Sequence, residues 1–264
     1  MLICKNIEKV FDKGMATEKA ALQGVNLRLD ESDFITVIGG NGAGKSTLLN
    51  AIAGVFPVEQ GTINIDGRDV TKLAEHACAR FIGRVFQDPR MGTAPGMTIE
   101  ENLAISYRRC KRRTLRWGIS RKERDVYKEA LSTLGLGLEN RMTVKVGTLS
   151  GGQRQALTLL MATLQKPRLL LLDEHTAALD PKTAKTVLEL TNKMVSDNRL
   201  TTLMVTHNMR DALASGNRIM MMHSGQVILD VKNEEKAGLT IPDLLKMFEQ
   251  ASGEAIANDR MLLA

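Results

Sequence analysis

The stretch Gly39-Gly40-Asn41-Gly42-Ala43-Gly44-Lys45-Ser46 sets glycines, a lysine and a hydroxyl in the order G-x-x-x-x-G-K-[ST]. Glycines let a loop turn so that its backbone N–H groups converge on phosphate oxygens. A helix opening directly afterwards adds the positive end of its dipole. Lys45 then supplies a point charge for β- and γ-phosphates, the Ser46 hydroxyl suits a Mg²⁺ ion, and Thr47 follows into the helix. This chemistry requires a strand before the loop and a helix after it. Phe34-Ile35-Thr36-Val37-Ile38 reads as the buried strand and Ser46 to Ala53 as the helix. The segment is therefore expected to hold the phosphates of a nucleotide.

A phosphate loop needs an acidic partner for the metal and a group to handle attacking water. Asp173 and Glu174 end the run Leu169-Leu170-Leu171-Leu172, four apolar residues bounded by charge. Such a run predicts a strand buried on both faces, and its carboxyl end is where α/β sheets hold ligands. Asp173 suits the Mg²⁺ shell, and Glu174 suits a general base that orients and deprotonates water.

The elements that must position these groups follow from pattern. Gly61 to Ile65, Phe81 to Phe86 and Leu200 to Val205 read as strands, and Thr183 to Asn198 as a helix with Val187, Leu190 and Met194 on one face. Arg218 to His223 and Gly225 to Asp230 read as a hairpin turning at Ser224-Gly225. Strands alternating with helices indicate an α/β fold with a parallel sheet and crossover helices. Residues 98–165 differ: they are polar and helical, as expected of a subdomain inserted into that core. The core then takes residues 1–97 and 166–250, leaving 251–264 as a tail, all within one domain.

Leu149-Ser150-Gly151-Gly152-Gln153 resembles the signature motif of ATP-binding cassette (ABC) proteins, and order and spacing agree with that family over most of the chain. Gln87 looks like the family's Q-loop glutamine, Ala178-Leu179-Asp180 its D-loop, and His207 its switch histidine. Phe11 sits where the family places an aromatic against adenine, although it could instead belong to the core. The resemblance implies a P-loop NTPase core of ABC type, an N-terminal antiparallel β subdomain and an inserted α-helical signature subdomain. It also implies ATP and Mg²⁺, the latter held by Ser46, Asp173 and Gln87, with Glu174, His207 and Gln87 around the reacting water. The signature residues Ser150, Gly151, Gly152 and Gln153, with Asp180, are expected to close the nucleotide site of a second cassette, most simply in a homodimer. One departure is His175, which stands where most family members have proline; it could tune the pKa of Glu174 or fill space.

Function classes follow. The resemblance implies the ATPase of a membrane transporter, with a separate permease subunit and an extracellular substrate-binding protein, working at the cytoplasmic face of the membrane. The strings around Gln87 and Asp173 further resemble a branch of bacterial importers, some associated with aromatic amino acids. The rival reading is a soluble ABC ATPase acting on ribosomes or DNA. Such proteins usually carry two cassettes or a long coiled-coil insertion, and the stretch between Lys45 and Ser150 has room only for a helical subdomain.

Composition agrees with an ordinary globular chain of 264 residues, 43 % hydrophobic and 25 % charged. No apolar run approaches the roughly 20 residues of a bilayer span. Met1 to Asn6 lacks the basic and apolar regions of a signal peptide, so none is expected. The 3 cysteines are odd in number and widely spaced, which fits neither a disulfide framework nor a metal site. Net charge is +6, and the densest basic stretch runs from Arg108 to Lys128 around Trp117. That stretch fits an anionic lipid leaflet, a solvated face or, third, nucleic acid; aromatics at 3 % argue against a single-strand stacking surface, and no nucleic acid is expected.

Overall fold

A computed structural model describes residues 1–109 and 118–253. In chain order they form β1 (Leu2–Phe11), β2 (Lys19–Leu29), β3 (Phe34–Ile38), α1 (Lys45–Ala53), β4 (Gln60–Ile65), β5 (Arg68–Asp69), α2 (Glu75–Cys78) and β6 (Ile82–Val85). There follow α3 (Ile99–Tyr107), α4 (Arg121–Ser132), α5 (Gly151–Thr163), β7 (Leu169–Asp173), α6 (Pro181–Asn198) and β8 (Thr202–Val205). The last elements are α7 (Met209–Ala214), β9 (Arg218–His223), β10 (Gln226–Lys232), α8 (Asn233–Ala237) and α9 (Ile241–Ser252).

The larger sheet has the order β10-β9-β3-β8-β7-β6, parallel from β9 to β6, with β10 added antiparallel at one edge. Its central strands β3, β7 and β8 are largely apolar and buried at successive positions because both faces are covered. Leu169 and Leu171 join one core cluster with Leu48, Leu49 and Ile52 of α1, while Leu170 and Leu172 join another with Leu159 of α5 and Val195 of α6. The second sheet, β2-β1-β4-β5, is antiparallel and packs on the α1 side through Leu2, Leu22, Leu27 and Ile63. The α/β class, the parallel sheet and the N-terminal antiparallel sheet are thus as expected.

Helices α3, α4 and α5 close around an apolar cluster of their own, including Leu103, Tyr127, Leu131, Leu149 and Leu157. Each opens with a reciprocal capping box, Thr98 with Glu101, Ser120 with Glu123 and Ser150 with Gln153, so their starts are fixed locally.

Element limits shift where caps intervene. The sixth helix begins at Pro181, not Thr183, because Asp180 accepts from the Thr183 N–H and proline suits the first helical position. Strand β8 begins at Thr202, not Leu200, because Arg199 turns left-handed (φ 50°) and the Leu200 N–H still closes on Val195. The hairpin forms with its turn at Ser224-Gly225 as read, both at positive φ (45° and 78°), the turn whose twist matches paired strands, but its second strand runs Gln226–Lys232, not Gly225 to Asp230. Cys4 and Cys78 are buried and in no disulfide, and Cys110 lies outside the described residues. Among the described residues no helix is long and apolar enough to cross a membrane.

Candidate active site

The phosphate loop joins β3 to α1, and its shape depends on glycine at two places. Gly39 has φ 152° and a Cβ there would lie 2.2 Å from the Met222 carbonyl oxygen; Gly44 has φ 96° and would meet the Ala21 carbonyl at 2.5 Å. The loop is braced from outside by the hairpin turn, where the Gly225 N–H donates to the Ala43 carbonyl. Helix α1 starts at Lys45 with no side-chain cap and no acid in its first turn, so its N-terminal amides and dipole face the loop uncompensated. Asn41 and Gly42 are exposed on the rim beside Gly40, and Thr47 is half-buried one residue past Ser46.

Three adjacent strand ends bring the remaining groups together. Strand β8 lies between β3 and β7, so Lys45, Asp173, Glu174 and His207 share the carboxyl edge of the sheet. The Lys45 ammonium is buried and donates to the Gly39 and Gly40 carbonyls at 2.8 and 3.0 Å. Burial lowers its pKa, opposed by the charges of Glu174 and Asp173. Ser46 Oγ lies 3.4 Å from Asp173 Oδ1. His207 Nδ1 lies 3.4 Å from Glu174 Oε2, and each group favours the charged form of the other: Glu174 is held below the usual carboxylate range and His207 above the usual imidazole range. The backbone of Glu174 is left-handed (φ 44°), a conformation uncommon outside glycine, and its N–H donates to the Val205 carbonyl. Asp173 is driven the other way, upward, by burial and by the neighbouring Glu174 charge, against the opposing charge of Arg84.

The donor set suits a hard divalent cation. A half-buried carboxylate disfavoured in its ionised form faces a hydroxyl, beside a second carboxylate, and all donors are oxygens. Among the described residues no group of three or more His, Cys, Asp or Glu could hold a metal ion by itself. Gln87 is exposed just past β6.

The other expected residues form a second cluster. Ser150 caps α5, its Oγ accepting from the Gln153 N–H at 3.3 Å while Gln153 Oε1 accepts from the Ser150 N–H at 3.3 Å. A Cβ on Gly151 would touch Leu179 at 3.3 Å, and one on Gly152 would strike Thr183 at 2.1 Å. Asp180, the cap of α6, sits in the same place. No hydrogen bond or ion pair among the described residues joins Ser150, Gly151, Gly152, Gln153 or Asp180 to the phosphate loop. Phe11 is 36 % exposed at the end of β1, edge-on to Phe56 at 5.3 Å with the Lys9 ammonium 5.2 Å from its ring, so it is a rim residue and not part of the core.

His175 fills space. It is buried with Nε2 2.9 Å from Thr191 Oγ1, and burial pushes its pKa down to about 4, which keeps it neutral. The basic stretch is only partly free. Arg108 makes a two-pronged pair with Glu123 (3.0 and 2.8 Å), Arg124 one with Glu100 (2.8 and 3.1 Å), and Arg109 donates to the Ile82 carbonyl. Arg121, Lys122 and Lys128 stay exposed, and residues 110–117, Trp117 included, lie outside the described residues.

Sequence reasoning missed Arg84, Asn50 and Gln155. Arg84 donates to Asn50 Oδ1 at 2.6 Å and stands 3.5 Å from Asp173 Oδ2; Gln155 Nε2 donates to the carbonyl of Phe86, next to Gln87. The available signal was an arginine inside a four-residue buried strand, an expensive residue there without a partner.

Comparison with known proteins agrees with this geometry. Residues 22–177 match the family described as ABC transporter. A tyrosine transport ATP-binding protein of Clostridioides difficile (strain R20291) is 43 % identical over 251 residues, 95 % of this chain and 100 % of that protein. An aliphatic sulfonates import ATP-binding protein of Agrobacterium fabrum is 32 % identical over 213 residues, 81 % of this chain and 74 % of that one. A dimeric ATP-binding cassette solved in a post-hydrolysis state with ADP and Pi superposes with a TM-score of 0.74 at 30 % identity, covering 88 % of this chain and 98 % of that one.

Proposed function

The chain belongs to the ABC transporter family of ATP-hydrolysing cassettes, and from that premise we propose that it powers a bacterial importer as a separate ATPase subunit. The observation that carries the reading is the meeting of Lys45, Ser46, Asp173 and the Glu174–His207 pair at three neighbouring strand ends. ATP lies with its phosphates along residues 39–47 and its adenine toward Phe11. Lys45 exchanges the Gly39 and Gly40 carbonyls for phosphate oxygens, a short movement because the ammonium already sits within the loop. Ser46, Asp173 and Gln87 would hold Mg²⁺, which when bound neutralises charge on the β- and γ-oxygens.

Glu174 is the general base. It is ionised at neutral pH, its pKa lowered further by the bond to His207, and its backbone turns left-handed just past the end of β7. His207 holds that carboxylate at one oxygen, leaving the other to accept a proton from water. Ser150, Gly151, Gly152, Gln153 and Asp180 of one chain close the site of a second, so the working unit is a dimer. The Ser150 hydroxyl accepts a helix N–H and still has its own proton to donate to a γ-phosphate oxygen.

Residues 98–165 form the lobe that meets the permease, across a cavity of about 300 Å³ lined by Arg84, Phe86, Ser106, Thr158 and Met161. An extracellular binding protein delivers the substrate, and the chain works from the cytoplasmic face of the membrane. The 43 % identity to a tyrosine transport protein along 95 % of the chain supports an aromatic amino acid as cargo.

The test is purification of tagged Glu174→Gln protein from gently solubilised native cells with ATP and Mg²⁺. A stoichiometric polytopic membrane protein is expected. Recovery with ribosomal or DNA-bound partners and no membrane protein refutes the transport reading.

A further inference from the structure

Arg84 lies on β6, the edge strand beside β7, yet its side chain is only 13 % exposed. Its Nη2 donates to Asn50 Oδ1 of α1 at 2.6 Å and stands 3.5 Å from Asp173 Oδ2, and its guanidinium carbon lies 4.6 Å from the centre of the Phe86 ring. Its Nε is buried without a hydrogen-bond partner. A buried guanidinium with an orphaned N–H is a poor way to stabilise a fold, since an apolar side chain of similar length fills such a place without that cost. What the arginine does that an apolar residue cannot is divide the carboxylate of Asp173. Oδ2 is drawn toward the guanidinium, and Oδ1 is left facing Ser46 Oγ.

We propose that Arg84 is a positioning residue for the ATPase reaction, clamping Asp173 in the orientation that presents one oxygen to Mg²⁺ beside Ser46. This rests on the reading of Asp173 as a metal-holding carboxylate given above. The clamp has two anchors besides Asp173. Asn50 ties it to the helix that follows the phosphate loop. Phe86 ties it to the segment leading to Gln87, where Gln155 of α5 holds the Phe86 carbonyl at 3.2 Å. Arg84 also lines the cavity between the core and the helical lobe, so a movement of that lobe on β6 bears on the same guanidinium.

Two effects oppose each other, and their signs differ. A cation beside the metal site repels Mg²⁺, so by charge alone its removal strengthens metal binding. As a clamp, its removal frees Asp173 and weakens binding, and outer partners of metal ligands typically contribute about 10–100-fold in affinity. The proposal commits to the second.

The experiment titrates Mg²⁺ into the full chain with a fluorescent, non-hydrolysable ATP analogue, and repeats analogue binding in chelator. Arg84→Met should lower apparent Mg²⁺ affinity about 10–100-fold and leave metal-free analogue affinity within about twofold. Arg84→Lys, which keeps the charge without the planar guanidinium whose Nη2 reaches Asn50 and Asp173 together, should recover only part of the loss. Asn50→Ala, a milder change that leaves Arg84 in place, should weaken Mg²⁺ binding in the same direction and gives the answer if Arg84→Met does not fold. Unchanged or stronger Mg²⁺ binding in Arg84→Met, or in Asn50→Ala where it alone folds, overturns the proposal. Asp173→Asn separates the two readings. If it abolishes Mg²⁺ dependence while Arg84→Met does not, the clamp alone fails; if neither variant changes it, the assignment of Asp173 fails as well.

Discussion

Gly152 illustrates how a residue read as a phosphate contact can be fixed by packing. It lies in the first turn of α5, where glycine is an inferior helix former, and alanine there would ordinarily stabilise the helix by about 0.5–1 kcal/mol. A Cβ at this position, however, would lie 2.1 Å from Cγ2 of Thr183 in the first turn of α6. Ordinary carbon contacts lie at about 3.5–4.0 Å, so the two helix starts must separate or Thr183, stiff at χ1, must leave its rotamer. Overpacking of this kind costs about 1–3 kcal/mol. Gly152→Ala should therefore destabilise the protein by about 1 kcal/mol net, a fall in melting temperature of about 2–4 °C for a chain of this size. Thr183→Ala removes the offending methyl, and in that background Gly152→Ala should raise the melting temperature instead. The four proteins form a cycle with a coupling of about 1–3 kcal/mol, measured by calorimetry without nucleotide. If Gly152→Ala changes stability equally in both backgrounds, the contact between α5 and α6 does not select this glycine.

Other outcomes follow from the site and the helical lobe. Lys45→Ala should abolish tight ATP binding in an equilibrium assay, and Glu174→Gln should retain binding while slowing hydrolysis by about 10²–10⁴-fold, with wild-type turnover removing Glu174 from the base role. Glu123 is held down at about 2, mainly by its bond to Arg108, so its stabilisation is complete above the ordinary carboxylate pKa and lost as pH falls from about 4.5 toward 2. Glu123→Gln should cost about 1 kcal/mol near neutral pH, for a partly exposed two-pronged pair, and the difference from wild type should vanish across that acid window; a pH-independent difference refutes the pairing as its cause.

The parts of the fold that were legible are those whose cause is local. Phe34 to Ile38 is buried throughout and apolar but for Thr36, and Leu169 to Leu172 is apolar at every position, because each strand is covered on both faces, and the structure places β3 and β7 there. The phosphate loop was legible because its residue order lies in one contiguous strand–turn–helix stretch, although the contacts that exclude a side chain at Gly39 and Gly44 come from Met222 and Ala21 on other strands. Strands β1 and β2 were harder. Their pairing shifts register between Cys4 and Ile7 and again at Lys9, with Asn6 at φ 49°, so strict alternation is broken where it would be counted. The basic stretch was only partly legible, for a different reason. Arg124 is spent on Glu100, which lies on another helix, and a run of charge in sequence does not show which of its members have partners in space. Arg84 stayed hidden likewise: its meaning depends on β6 pairing with β7 in one register, opposite Leu171 and two residues before Asp173.

The arrangement of the two clusters bears on the proposal that two chains share each site. The phosphate-loop side supplies a cation, a hydroxyl, two carboxylates and an imidazole, all on three neighbouring strand ends of the core. The signature side supplies two capped helix starts, α5 and α6, packed so closely that Gly152 has no room for a methyl. Capping satisfies amides within each helix, and the Asp180 carboxylate answers the dipole of α6, so it is the start of α5, capped by the neutral Ser150, that favours an anion. That surface has no anionic partner among the residues of its own phosphate loop. The triphosphate proposed for the loop, already met by Lys45 on one side, is the complementary charge, and a second copy of the chain can present the start of its α5 to it. On this reading the tight contact of α5 with α6 makes Ser150 and Asp180 move as one unit, so closure over ATP is a rigid approach of two prepared surfaces and not the assembly of separate residues.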